Sequence, residues 1–278
     1  MKKLSFLFCF SAVIAKLGAQ GRESASLAIN EFLVESAVSA FFLTNSNNVV
    51  EVTMDNYPEL YQSFVDLSVK AKINTPLLFL ITKKHPLFFS KTNACAVGGR
   101  DASAVFVGSW LIDELSADEV QAILAHEITH IAHEYSISSL KFMLGSFAVS
   151  LSAAILGYKL TGYAKDCPWY LRWTAASFGW GFAHKLFSLI SFRHAREQEK
   201  VADLGAIELT GNMALIGALE KCDEMVKKYC PYSARKRKET IERLFSSHPL
   251  TEERVAYIRA RGAEQKQAEK DEPVSVAA

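Results

Sequence analysis

Cysteine, proline and glycine are all sparse in this chain of 278 residues, which has 5 Cys, 7 Pro and 14 Gly. So little proline and glycine excludes a collagen-like or Pro-rich chain. The cysteines (Cys9, Cys95, Cys167, Cys222 and Cys230) form no CxxC pair and no zinc-ribbon spacing, so no thiolate metal module is legible. Cys222 and Cys230 can bridge in an oxidising compartment, but unpaired thiols packed as small apolar groups read equally well. A charge excess is missing too. The 31 Lys+Arg against 30 Asp+Glu leave a net +1, which removes the electrostatic argument for nucleic-acid binding. What the chain has in quantity is apolar side chains, at 50%. That excludes a disordered polymer, and a mean hydropathy of +0.09 raises the question of membrane contact.

Two regions answer to that question. Lys2 and Lys3 precede a short apolar run from Leu4 to Ala15, below the ~20 residues a spanning helix needs. Residues 1–19 therefore read as a signal peptide cut near Ala19 or as an uncleaved N-terminal anchor, with a buried helix as the third reading. In mid-chain, Phe142 to Tyr158 carries no charge, and after a polar link a second apolar stretch runs from Trp173 to Phe192, interrupted by His184 and Lys185. Trp169, Tyr170 and Trp173 stand where an interfacial aromatic belt would lie. The pair predicts an apolar helical hairpin over about 140–192, associated with membrane lipid. Buried or membrane-grazing helices of a water-soluble protein are the alternative, which the two basic residues favour.

Elsewhere the periodicity predicts helices over Glu23–Leu43, Asn56–Lys72, Arg193–Thr210, Met213–Tyr229, Ile241–Phe245 and Thr251–Arg261. Strands are expected at Pro76–Thr82 and Ala102–Val107, the second after a Gly98-Gly99 turn. The fold class is thus mainly α with a small β-sheet (α+β). One domain is expected over 23–261, with a disordered tail over 262–278 that has almost no apolar anchors. Ser116-Ala-Asp-Glu119 is a capping box that starts a helix running to Tyr135.

That helix carries His126-Glu127-Ile128-Thr129-His130. Residues i and i+4 share a helix face, so both imidazoles can reach one tetrahedral Zn2+, while Glu127 is placed to deprotonate a water held there. A hydrolytic site needs a third protein ligand. Downstream, Glu199 and Asp203 are again i and i+4: Glu199 can ligate while Asp203 accepts the outward N–H of a ligand histidine. Glu197 is an alternative ligand that lacks a carboxylate four residues on. His133, His85, His184 and His194 read as ordinary surface or interface residues. Arg235 to Lys238 reads as a solvated basic face or a contact to anionic lipid.

The order Thr92-Asn-Ala-Cys-Ala96, HEITH, Arg196-Glu-Gln-Glu199-Lys-Val-Ala-Asp203 and His248-Pro249-Leu-Thr-Glu-Glu-Arg254 resembles the HtpX-like and CAAX-prenyl-protease-type zinc metallopeptidases over about Asn56 to Ile258. The resemblance implies a minigluzincin-type core, with the hairpin inserted between the two metal-ligand helices. It implies one Zn2+ per chain on His126, His130 and Glu199, with Glu127 as base. His248 would donate to the oxyanion, Arg254 would brace His248 or the nearby carboxylates, Arg196 would stand with Asp203 and Arg254 behind the ligands, and the backbone of Asn93, Ala94, Cys95 and Ala96 would hold an extended polypeptide substrate. Cys95 replaces a residue that is often aromatic, and the N-terminus lacks the two full spans of bacterial members. The expected function is a zinc endopeptidase of membrane or envelope protein quality control or maturation; the alternative is a metal-binding chaperone-like or scaffold protein without proteolysis. The expected location is the membrane, or the periplasm or exterior after signal cleavage.

Overall fold

The computed structural model describes residues 22–45, 48–82, 93–164, 166–229 and 248–271. The expectations for residues 1–19, for the helix at Ile241–Phe245, for His85 and for Arg235 to Lys238 lie outside the described residues. In chain order the elements are α1 (Arg22–Asn45), β1 (Val49–Glu51), α2 (Pro58–Lys70), β2 (Leu77–Ile81), β3 (Ala94–Gly98), β4 (Ser103–Gly108), α3 (Ser109–Glu114), α4 (Ala117–Ala132), α5 (Tyr135–Gly162), α6 (Trp169–Thr210), α7 (Ala214–Tyr229) and α8 (Thr251–Asp271). The chain divides into two compact units. One holds the sheet with α1 to α4, α7, α8 and the part of α6 from Glu199; the other holds Ser138 to Gln198 with His248 and Pro249.

The first unit is built on a four-stranded mixed sheet of order β1-β2-β4-β3. β2 and β4 are parallel, with Leu80 opposite Val107, while β3 lies antiparallel to β4, with Cys95 opposite Phe106. Every residue of β4 is buried, because helices cover both sides of the sheet. Val105 and Val107 join Leu78 and Leu80 against Phe64, Leu67, Leu124, Ile128 and Ile131 of α2 and α4. Ala104 and Phe106, on the alternate positions, join Phe79 and Ile81 against Val34 of α1. Alternation along one strand thus supplies both cores.

Two short elements escape the sequence reading. β1 is three residues long and α3 is six, too short for a period to show. The apolar stretch from Trp173 and the charged stretch to Thr210, read as separate helices, form one continuous α6, since no Pro or Gly lies between Gly181 and Gly205 to break it. The last helix also continues past Gly262 to Asp271, where a disordered tail was expected. Its residues there (Ala, Glu, Gln and Lys) are good helix formers even without an apolar face.

In the second unit, α5 and the first part of α6 form the expected hairpin. A Cβ on Gly157 would stand 2.6 Å from the Ala175 carbonyl oxygen, and one on Gly179 would stand 2.6 Å from that of Ala153. The two backbones therefore meet at small residues, as apolar helices packed without a hydrophobic driving force do. Ring pairs Tyr158–Trp173, Phe147–Trp180 and Phe142–Phe187 close the rest of the seam. His184 belongs to this seam, with Nδ1 3.2 Å from Ser146 Oγ. Leu144, Ile155, Leu156, Phe178, Phe182 and Ile190 are left exposed. Among the described residues one helix, α5, is long and apolar enough to cross a membrane.

α4 begins at the capping box. Ser116 Oγ accepts from the Glu119 N–H, and the Glu119 carboxylate accepts from the Ser116 N–H at 2.8 Å and from Lys221 Nζ at 2.7 Å. Burial alone would raise the pKa of Glu119, but Lys221 and Ser116 outweigh it and hold the carboxyl below its ordinary value. A carboxylate lowered in the folded state stabilises fully above its unfolded pKa, and the contribution fades as pH falls through the folded value. Glu119→Gln is therefore expected to cost about 1–2 kcal/mol at neutral pH. In urea melts repeated in acid the difference from wild type should shrink.

Candidate metal centre

α4 is held at both ends, which fixes the direction of its side chains. The capping box fixes its start, and Arg100 Nε donates to the Ala132 carbonyl at 2.8 Å at its finish. Between them, His126 and Glu127 are buried although both are polar. Burial of that kind needs partners, and α6 supplies them. Ala202 and Ala206 are fully buried, and a Cβ on Gly205 would lie 2.5 Å from Thr129 Cγ2. The small face of α6 therefore closes directly on the α4 turn that carries the histidines.

The approach brings Glu199 to both rings. His126 Nε2 and His130 Nε2 are 3.0 Å apart, His130 Nε2 is 3.4 Å from Glu199 Oε1, and His126 Nε2 is 3.8 Å from Glu199 Oε2. Donors bound at ~2.0–2.1 Å at the corners of a tetrahedron stand about 3.3 Å apart. The three separations bracket that figure, so this donor set fits one tetrahedral ion with a fourth corner left over. Among the described residues these three form the group of His, Cys, Asp and Glu that can hold a metal.

Behind them lies Asp203, with no exposed surface. Its Oδ1 is 2.9 Å from His126 Nδ1, and Arg254 grips both of its oxygens, with Nε 2.8 Å from Oδ2 and Nη2 2.5 Å from Oδ1. The hydroxyl of Tyr257 donates to Oδ2 as well. Burial would raise the pKa of Asp203, but Arg254 and His126 overcome it and hold the carboxyl at about 2. A permanent carboxylate facing Nδ1 keeps the proton there, so Nε2 presents its lone pair to the site. Burial works against a charge on His126, yet Asp203 and Glu199 raise its pKa overall.

The other sequence candidates sort clearly. Ala94, Cys95 and Ala96 lie on β3, at the edge of the sheet among the described residues, and the exposed Asn93 precedes it, its carbonyl accepting from the Gly108 N–H. Ala94 and Ala96 face the core shared with α4, and Cys95 faces the one shared with α1. The Cys95 thiol is pushed far up by burial and then by the charge of Glu127. Glu197 is exposed and outside the donor set. His133 caps α4 and stacks on Tyr135, also outside it. Arg196 and the exposed His248 belong to the second unit. Cys222 is a free thiol among the described residues, and Cys230 lies outside them.

Two site residues were not read from the sequence. Tyr135 packs edge-on against His130 at 5.1 Å. Tyr257 stands three residues after Arg254 on the same face of α8, and that spacing is the signal that could have found it.

Residues 58–262 match the model of peptidase family M48. The chain belongs to that family. Relatives include Protease HtpX of Nitrosococcus oceani, 28% identical, with 92% of this chain and 86% of that protein covered. Protease HtpX homolog of Streptococcus uberis is 26% identical, with 92% and 94% covered. The solved structure of S. mikatae Ste24p superposes with a TM-score of 0.59 at 17% identity, over 91% of this chain and 61% of that one. The family confirms the resemblance drawn from the motifs, and the Ste24p likeness confirms the fold.

If this M48 centre depends on the α6 approach, Gly205→Val should force the helices apart, costing about 1–3 kcal/mol of overpacking. Asp203→Asn, which leaves the packing in place, is expected to lower metal affinity about 10- to 100-fold. Chelator competition and thermal melting of both variants check the pair.

Proposed function

We propose that this M48 peptidase is a zinc-dependent endopeptidase that works at a membrane and cleaves membrane or envelope proteins in their quality control or maturation. The observation that supports the chemistry most is the convergence of His126, His130 and Glu199 on one point, with Glu127 buried in the same turn of helix. A purely structural metal site has no need of a base there.

His126, His130 and Glu199 hold the ion. Bound zinc supplies Lewis acidity, polarising a carbonyl and bringing the pKa of water to ~7. Glu127 takes the proton of the attacking water and hands it to the departing amine nitrogen, so that one carboxylate serves as base and then as acid. Asp203 and Arg254 keep His126 in its ligating tautomer. The edge strand β3 accepts an extended peptide through its backbone, with Asn93 to Ala96 as the pairing segment. Backbone pairing of this kind recognises an extended chain more than any one side chain, which suits a protease with a broad range of unfolded substrates. His248 and Arg196, candidates from the sequence, carry no role in this account.

Membrane location is supported by the exposed apolar surface of α5 and α6 and by the length of α5. A helix of that composition is stable in lipid, whereas in water so wide an apolar face is an association hazard.

Casein cleavage by the wild type and by Glu127→Gln, with zinc content measured alongside, tests the reading. The variant should lose at least about 10²- to 10⁴-fold in rate and keep its zinc. Equal cleavage by both proteins would remove Glu127 from the mechanism. Stoichiometric zinc in a wild type that cleaves nothing would favour a metal-binding scaffold or chaperone.

A further inference from the structure

The Asp203 carboxylate has more to hold than His126. Its Oδ1 is shared between His126 Nδ1 at 2.9 Å and Arg254 Nη2 at 2.5 Å, so the strong cation competes with the imidazole for the same oxygen. Arg254 is itself divided, because its Nη1 lies 3.7 Å from Glu199 Oε2. A carboxylate held by Arg254 alone would turn with that guanidinium towards Glu199 and loosen its grip on His126.

The remaining oxygen decides the matter. Oδ2 takes Arg254 Nε at 2.8 Å and the Tyr257 hydroxyl. Tyr257 is a neutral donor, so it satisfies Oδ2 and resists rotation about the Asp203 Cβ–Cγ bond without adding a second positive charge beside His126. It donates and never accepts a role as anion, since burial and the adjoining Asp203 charge raise the pKa of its phenol far above neutrality. Its ring is located in turn by Lys200 of α6, whose Nζ is 5.7 Å from the ring centroid, next in sequence to Glu199. The tyrosine thus reads the position of α6 through its ring and reports it to the carboxylate through its hydroxyl.

We propose that Tyr257 is a positioning residue of the metal centre: its hydroxyl sets the orientation of Asp203, through which it fixes His126 for metal binding. This rests on the reading of His126, His130 and Glu199 as ligands. Arg254 and Tyr257 then act as a pair, the arginine supplying charge and the tyrosine supplying direction.

Tyr257→Phe removes one oxygen and keeps the ring, its packing and the Lys200 contact. Zinc affinity of the full-length wild type and variant is measured by chelator competition, with the melting midpoint of each metal-free protein and the visible absorption of each Co2+-loaded form. The expected result is an affinity about 10-fold weaker, an altered Co2+ ligand-field band and an unchanged metal-free midpoint. Unchanged affinity would overturn the proposal, as would a loss of affinity found only together with early melting of the metal-free protein, which marks a tie between α8 and α6 and nothing more. A wild type that binds no stoichiometric ion would overturn the ligand reading itself, a failure visible before Tyr257 is altered.

Discussion

One buried carboxylate organises this protein. Asp203 has no exposed surface, yet it stays ionised because Arg254 and Tyr257 donate to it and His126 Nδ1 stands 2.9 Å from its Oδ1. Those partners come from two helices, α4 and α8, and Asp203 itself from a third, α6, all distant in sequence. A buried charge left short of partners is costly, so the fold that satisfies Asp203 also brings α6 against α4 and places Glu199, one turn earlier, opposite both histidines. The same contact that stabilises the junction assembles the donor set.

That junction is paid for in helix geometry on each side. The α4 turn can carry buried polar residues because its ends are pinned by Ser116, Glu119 and Arg100, and its other face is anchored by Leu124, Ile128 and Ile131 in the core over β2 and β4. The α6 turn can come close because Ala202, Gly205 and Ala206 present almost no side chain. The sheet contributes the floor, with β3 at its edge among the described residues. β3 lies beside α4, the helix that carries both imidazoles and Glu127.

The parts legible in the sequence are those governed by local period. HEITH and the Glu199/Asp203 pair each lie within one helix, where i and i+4 share a face, and Ser116 with Glu119 announces the helix start. The hairpin was legible because its composition changes abruptly at both ends. What escaped depends on contacts that no period records. β1 exists only through its pairing with β2, and α6 continues from apolar to charged sequence because a change of surroundings is no change of conformation. Tyr257 becomes a site residue only once α8 docks on α6. Expected helix ends erred most where composition stood in for conformation: the sequence beyond Gly262 has few apolar residues, yet α8 extends to Asp271.

X-ray absorption at the zinc edge of the purified full-length protein tests the central claim most directly, because it counts the atoms around the ion. The account predicts one zinc per chain in a shell of nitrogen and oxygen at about 2.0–2.1 Å, with the outer scattering of two imidazole rings. A shell containing sulfur at about 2.3 Å, or scattering from a single imidazole, would contradict it.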